Sequence, residues 1–176
     1  MPSLIMVRSI LRGCFFAHRD VQILQYSLLL SGFAWSKRGI ALKPSGTLDG
    51  AGCARCNVVR KAKLNEEGMW EEDKNGWMMF YEGVSSEDGK HRILAAESDD
   101  LKTWNKLGLV MDVGESDNAW DCQGVGSPHV IRLDDGYFRM YYTGEGSNGD
   151  TAIGVMKSSD LKTWEREQAE VTFAFE

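Results

Sequence analysis

Apolar residues along this chain come in short runs of strand length, each closed by glycine, serine, asparagine or aspartate. Gly76-Trp-Met-Met-Phe80-Tyr81-Glu82-Gly83 and Gly136-Tyr-Phe-Arg-Met-Tyr141-Tyr142-Thr143-Gly144 are two such runs. The β-branched pairs in Asn57-Val58-Val59-Arg60 and His129-Val130-Ile131-Arg132 predict strands before them, and Arg92 to Glu97 and Thr151 to Lys157 predict strands after them. The intervening Ser85-Ser-Glu-Asp88-Gly89 and Gly146-Ser-Asn148-Gly149 are turn sequences. Only the run from Leu24 to Trp35 fits two readings, a strand pair or a short buried helix, because its periodicity does not separate them.

The runs repeat. Asp100-Leu-Lys-Thr-Trp104 recurs as Asp160-Leu-Lys-Thr-Trp164, 60 residues later, each with a serine two residues before the aspartate (Ser98, Ser158). Asp49-Gly-Ala-Gly52 through Arg60 overlies Asp121-Cys-Gln-Gly124 through Arg132 without a gap at a spacing of 72, so the first unit holds extra residues between Leu64 and Lys74. Asn65 to Gly68 and Glu71 to Asp73 read as loop there, and one added residue in the second unit's Gly136 run reads as a bulge. Trp35-Ser-Lys37-Arg-Gly39 matches Trp104-Asn-Lys106-Leu-Gly108 in three positions of five, which makes it the last strand of an earlier, incomplete unit. Four strands in roughly 60 residues make a propeller blade. The expected fold is all-β, a partial propeller of about two and a half four-stranded antiparallel blades, divided as an N-terminal segment 1–34, blade A with its preceding strand at 35–112, and blade B with the start of a next blade at 113–176.

Composition refines this picture. With 43% apolar residues, and 19 glycines against three prolines, the chain suits a real core of short strands and tight turns. The net charge of −6 conceals a basic first third: residues 1–63 carry ten Lys/Arg and two acids, and residues 64–176 carry ten and 24. The basic residues are scattered and form no nucleic-acid-binding module, so no nucleic-acid partner is expected. Met1 to Arg19, with Arg8, Arg12, Arg19 and no acid, has the composition of a plastid or mitochondrial transit peptide or of a non-native start; its uncharged run is too short to span a membrane, and the compartment stays unknown. Cys53-x-x-Cys56 lacks a second metal-ligand pair, which leaves it, with Cys14 and Cys122, as free thiols.

The candidate chemistry is carboxylate chemistry. In an antiparallel blade, strand 1 begins and strand 2 ends on the same face, so Asp49 and Asp121, ahead of strand 1, and Glu82 and Glu145, at the ends of strand 2, are expected to rim one face. Bland readings stand beside this one. An aspartate before a strand-opening glycine also caps a turn; Asp100 and Asp160 hold their turns; Trp104 and Trp164 pack between blades; Trp77 and Tyr137 are core; and His129 is either a satisfied core residue or part of the pocket.

The Ser-x-Asp-Leu-x-x-Trp pattern, together with Gly126-Ser-Pro128-His-Val130 and the Tyr137 to Tyr142 run, resembles the five-bladed propeller glycoside hydrolases that include arabinanases, levansucrases and invertases. The resemblance implies a hydrolase acting on furanosides or related oligosaccharides, with Asp121 and Asp49 as catalytic candidates; Glu82, Glu145 and His129, by their places in the blades, are the substrate-binding candidates, and with no phosphate-binding glycine loop, paired metal-ligand spacing or nucleophile elbow in the sequence no obligatory cofactor is expected. Glycoside cleavage needs one protonated carboxyl and one ionised one across an oxocarbenium-like state. Five blades would take about 300 residues at roughly 60 each, so the chain is expected to be a truncated member or to be completed by partners, with self-association through open blade edges. The rival is a noncatalytic propeller fragment that binds carbohydrate or protein. A sialidase-like six-bladed propeller is disfavoured by Lys102 and Lys162, where its acidic box carries glycine.

Overall fold

The computed structural model describes residues 24–29, 35–167 and 173–175, with side chains from residue 39 to 73 and from 76 to 167. Met1 to Arg19 and Cys14 lie outside the described residues. β1 (Leu24–Leu29) and β2 (Trp35–Leu42) pair antiparallel as a two-stranded sheet, which decides for the strand pair over the helix. Blade A follows as β3 (Gly52–Leu64), β4 (Trp70–Val84), β5 (His91–Ser98) and β6 (Asn105–Met111), each antiparallel to the last. Blade B repeats the meander as β7 (Gly124–Arg132), β8 (Phe138–Glu145), β9 (Thr151–Ser158) and β10 (Glu165–Arg166). β11 (Phe173–Phe175) pairs with β9 as well, so it lies in the sheet of blade B and does not open a further one.

The core sits between the sheets. Met78, Phe80, Ile93, Ala95 and Met111 of blade A meet Val130, Phe138, Met140, Tyr142 and Met156 of blade B in one buried cluster. Phe80 is fully covered and stands edge-on to Trp164, with ring centroids 5.3 Å apart. On its other face blade A packs Cys53, Met79, Tyr81, Leu94 and Ala96 against Leu42 at the end of β2. Both faces of blade A are therefore apolar, as a sheet layered between two others requires.

The repeated acidic turns are closed by the same bonds in each blade. Ser98 Oγ accepts the N–H of Leu101 and Asp100 Oδ1 accepts those of Lys102 and Thr103; Ser158 and Asp160 do the same for Leu161, Lys162 and Thr163, at 2.7–2.9 Å throughout. Those N–H bonds hold the Asp100 carboxyl down at about 2. Leu101 and Leu161 take positive φ, at 62° and 64°, and Leu161 offsets that strain by complete burial.

Two readings from the sequence change. Glu71, Glu72 and Asp73 are not loop: β4 begins at Trp70, and Ala62, Lys63 and Leu64 pair with Glu72, Glu71 and Trp70. This extended hairpin reaches the neighbouring blade, where Trp70 Nε1 donates to Leu133 O at 3.0 Å, its ring meets Phe138 at 4.9 Å, and Glu72 pairs with Arg132 at 3.1 Å. Nor does β8 carry an inserted residue. Trp77 and Phe138 both oppose the serine that ends strand 3, and the register then runs without a shift to Val84 and Glu145. Phe138 is therefore the core position, and Tyr137 stands exposed beside Arg139 and Lys157. The first strands do carry irregularities, between Ala54 and Cys56 and between Gly126 and His129, and further register shifts lie between Arg60 and Ala62 and along the β5–β6 pair.

Truncating Phe80 to alanine removes the ring at the centre of the inter-blade cluster. Phe80→Ala is expected to cost about 3–5 kcal/mol, read as a lower urea midpoint.

Candidate functional site

The turn ahead of each inner strand carries one buried aspartate, and each blade ties it to a tyrosine and a cation of its own. Asp49 is 1% exposed: Oδ1 accepts Ser45 N–H at 2.9 Å, and Oδ2 accepts the Tyr81 hydroxyl at 3.0 Å and the Lys106 ammonium. Asp121 is fully buried, with Arg166 Nη1 2.8 Å from Oδ2 and Tyr142 beside it. Tyr81 and Tyr142 stand at matching positions of strand 2, and Lys106 and Arg166 at matching positions of strand 4. Each aspartate thus turns back into its own blade and ties the entry turn to the second and fourth strands. Burial alone would raise the Asp49 carboxyl; Lys106, the Ser45 N–H and Tyr81 outweigh it and hold the group below the usual carboxylate range. Burial, with Asp49 alongside, pushes the Cys53 thiol up to about 12, so it is inert at neutral pH.

The room for these aspartates comes from glycine. A side chain at Gly83 would meet Leu94 Cδ1 at 2.4 Å and Asp49 Cβ at 3.0 Å, and one at Gly144 would meet Trp120 at 2.3 Å and Asp121 Cβ at 2.5 Å.

Glu82 has a different environment. It is 1% exposed and bridges the blades: Oε2 accepts Ser127 N–H of β7 at 2.9 Å, Arg55 of β3 donates to both oxygens at 2.8 and 3.0 Å, and His91 Nδ1 of β5 lies 2.6 Å from Oε1. Arg55 and His91 side chains remain 46% and 43% exposed, so the buried carboxylate sits beneath an accessible cationic rim. The backbone of His91 also makes the parallel contact with Gly124 that joins the sheets. Burial would raise the Glu82 carboxyl, but His91, the Ser127 N–H and Arg55 outweigh it and hold it below its usual range; Glu82 in turn raises His91 against its own desolvation.

Of the residues singled out from the sequence, Asp49, Glu82 and Asp121 are covered instead of rimming an open face, and Glu145 stands exposed at the end of β8. His129 is exposed on β7, opposite Tyr141. Among the described residues no hydrogen bond or ion pair links Asp49, Asp121 or His129 to the Glu82 cluster. Sequence reasoning missed Arg55, His91, Lys106, Ser127 and Arg166. Carrying the 60-residue repeat two residues past Trp104 and Trp164 would have exposed the Lys106/Arg166 match. Among the described residues no group of three or more His, Cys, Asp or Glu is placed to hold a metal ion.

Two measurements check these assignments. Lys106→Met strands the Asp49 charge and should cost about 2–3 kcal/mol in urea denaturation, discounted for the partly exposed lysine, with much of the loss recovered when Asp49→Asn is added. The ionised form of Glu82 stabilises the fold above its unfolded pKa of about 4.3, and the raised His91 stabilises it below about 6.5 and progressively less above. His91→Gln should therefore lower Tm most near about pH 5.5, with the difference from the native chain shrinking towards about pH 8.

Comparison with known proteins agrees with the architecture. The family model for the glycosyl hydrolases family 32 N-terminal domain matches residues 32–174. An uncharacterized protein of Mycobacterium tuberculosis is 28% identical over 134 residues, which are 76% of this chain and 39% of that protein, so the chain spans less than half the length of this curated relative. Among solved structures, a family 117 glycoside hydrolase from the marine bacterium Zobellia galactanivorans superposes with a TM-score of 0.69 at 16% identity, over 86% of this chain and 43% of its own. Fructan 1-exohydrolase IIa from Cichorium intybus superposes with a TM-score of 0.63 at 17% identity, over 90% of this chain and 28% of its own. The two repeated sheets are thus part of a propeller of the five-bladed kind, and the chain belongs to the family of the glycosyl hydrolases family 32 N-terminal domain.

Proposed function

We propose that the protein serves glycoside hydrolysis, on furanosides or related oligosaccharides, through carboxylates gathered where its inner strands begin. The observation that carries this reading is Glu82, a carboxylate kept ionised under the exposed rim of Arg55 and His91 at the seam of two blades. An ionised carboxylate beneath that rim suits the stabilisation of the positive charge that develops in glycoside cleavage and the orientation of the exposed groups that would meet the sugar. Asp121 joins it as the second carboxylate, fully buried at the entry turn of the next blade with the Arg166 guanidinium 2.8 Å from Oδ2. One solved fructan 1-exohydrolase of this fold was captured with 1-kestose, which supports an oligosaccharide as the ligand class.

A second reading has its own support. Asp49 and Glu82 are both held below the usual carboxylate range, so neither is protonated at neutral pH and neither supplies the leaving-group proton. A chain that binds the sugar without cleaving it fits that charge state equally well.

A panel of 4-nitrophenyl furanosides and 1-kestose, followed by release assays and calorimetry, separates the two. Release by the native chain with a fall of about 10²-fold or more in Glu82→Gln is the expected result. Binding without release establishes the noncatalytic reading, and neither binding nor release removes both.

A further inference from the structure

The carboxylates of the site leave one role of glycoside cleavage empty. Asp49 and Glu82 stay ionised at neutral pH, so neither protonates the departing oxygen. His91, which opens β5, is the titratable group beside them with a nitrogen to spare. Its Nδ1 lies 2.6 Å from Glu82 Oε1, and its side chain is 43% exposed above that buried carboxylate. Nε2, across the ring, has no hydrogen-bond partner among the described residues. Glu82 is itself fixed from both blades: Arg55 on β3 and Ser127 on β7 reach it from bulged positions at positive φ, 26° and 51°. From β7 only Gly124 stands opposite His91, and a side chain there would already touch His91 Cβ at 3.6 Å.

The charged groups that face the imidazole are Glu82 on β4, Arg55 on β3 and Glu145 on β8, while Lys90, next in the chain, donates to Cys122 O. The hydrogen bond to Glu82 outweighs the ring's desolvation, Glu145 adds to it, and the opposing guanidinium is already engaged by Glu82, so the balance favours the imidazolium. An imidazolium carries a proton on each nitrogen. One is committed to Glu82, which sets the direction of the other. We infer that His91 is the general acid of this chain, donating its Nε2 proton to the glycosidic oxygen, and that Glu82 is the positioning residue that orients the ring. The assignment rests on the hydrolytic reading above. As the bond from the anomeric carbon to the glycosidic oxygen breaks, its electron pair takes the Nε2 proton, leaving neutral imidazole and a sugar alcohol. Water adds to the oxocarbenium-like carbon and releases a proton to solvent, from which the imidazole recovers its own.

Leaving groups separate a proton donor from a structural residue. 4-Nitrophenolate departs without a proton, whereas methanol leaves a methyl glycoside as a strongly basic alkoxide unless it receives one. The full chain is assayed on the 4-nitrophenyl and methyl glycosides of whichever furanosyl sugar it releases. Release from the methyl glycoside should fall as pH rises through the raised His91 pKa, above the ordinary value of about 6.5, and release from the 4-nitrophenyl glycoside should lack that limb. Glu82→Gln should move the limb to lower pH. His91→Gln should lose about 10²-fold or more on the methyl glycoside, and at least about tenfold less than that on the 4-nitrophenyl one. An alkaline limb shared by both substrates in the native chain, or equal losses on both in His91→Gln, overturns the assignment and leaves the hydrolytic reading standing. Release from the 4-nitrophenyl glycoside alone does the same, because no proton would then be supplied. Failure of the native chain to release any sugar overturns the hydrolytic reading and this assignment together.

Discussion

A sheet that is apolar on both faces cannot exist in water by itself, and blade A is such a sheet. Met78, Phe80, Ile93 and Ala95 look one way and Met79, Tyr81, Leu94 and Ala96 the other, so each face demands a neighbour. Burial of these side chains is the main favourable term in assembling the layers. The bond from Ser127 N–H to Glu82 crosses the seam that these apolar residues create, so its geometry depends on their packing. The geometry of the Glu82 cluster is a consequence of that layering.

The extended hairpin strengthens the same layering from the opposite end. Trp70 sits on Phe138 and donates to Leu133 O, and Glu72 meets Arg132, so blade A holds blade B at both ends of its first hairpin. Read as text, residues 65–73 are a polar insertion, and the acids Glu71 and Glu72 argue for solvent. Their place in β4 becomes visible only when the facing strand is known, since strand pairing is set by the partner as much as by the residue.

Local features were the legible ones. The Asp-Leu-Lys-Thr-Trp turn is held by bonds within six residues, so its repetition in sequence is its repetition in space. The aspartates at Asp49 and Asp121 were found for the same reason, but where their carboxylates point depends on Lys106 and Arg166, 57 and 45 residues away in the chain. Glu82 was picked out as an acid at a strand end; its partners Arg55, His91 and Ser127 come from three other strands and could not be read from spacing. The positive φ of Arg55 and Ser127 leaves no mark on residue type, because neither position is glycine or asparagine.

The buried aspartate of each blade finds its cation and its tyrosine within the same four strands. Such a sheet is electrically self-sufficient: copying it, or losing it, strands no ionised group in the interior. Ancestral duplication could then vary the number of sectors around the axis without an accompanying electrostatic penalty, leaving only seam contacts such as that of Glu82 to be tuned to each new neighbour.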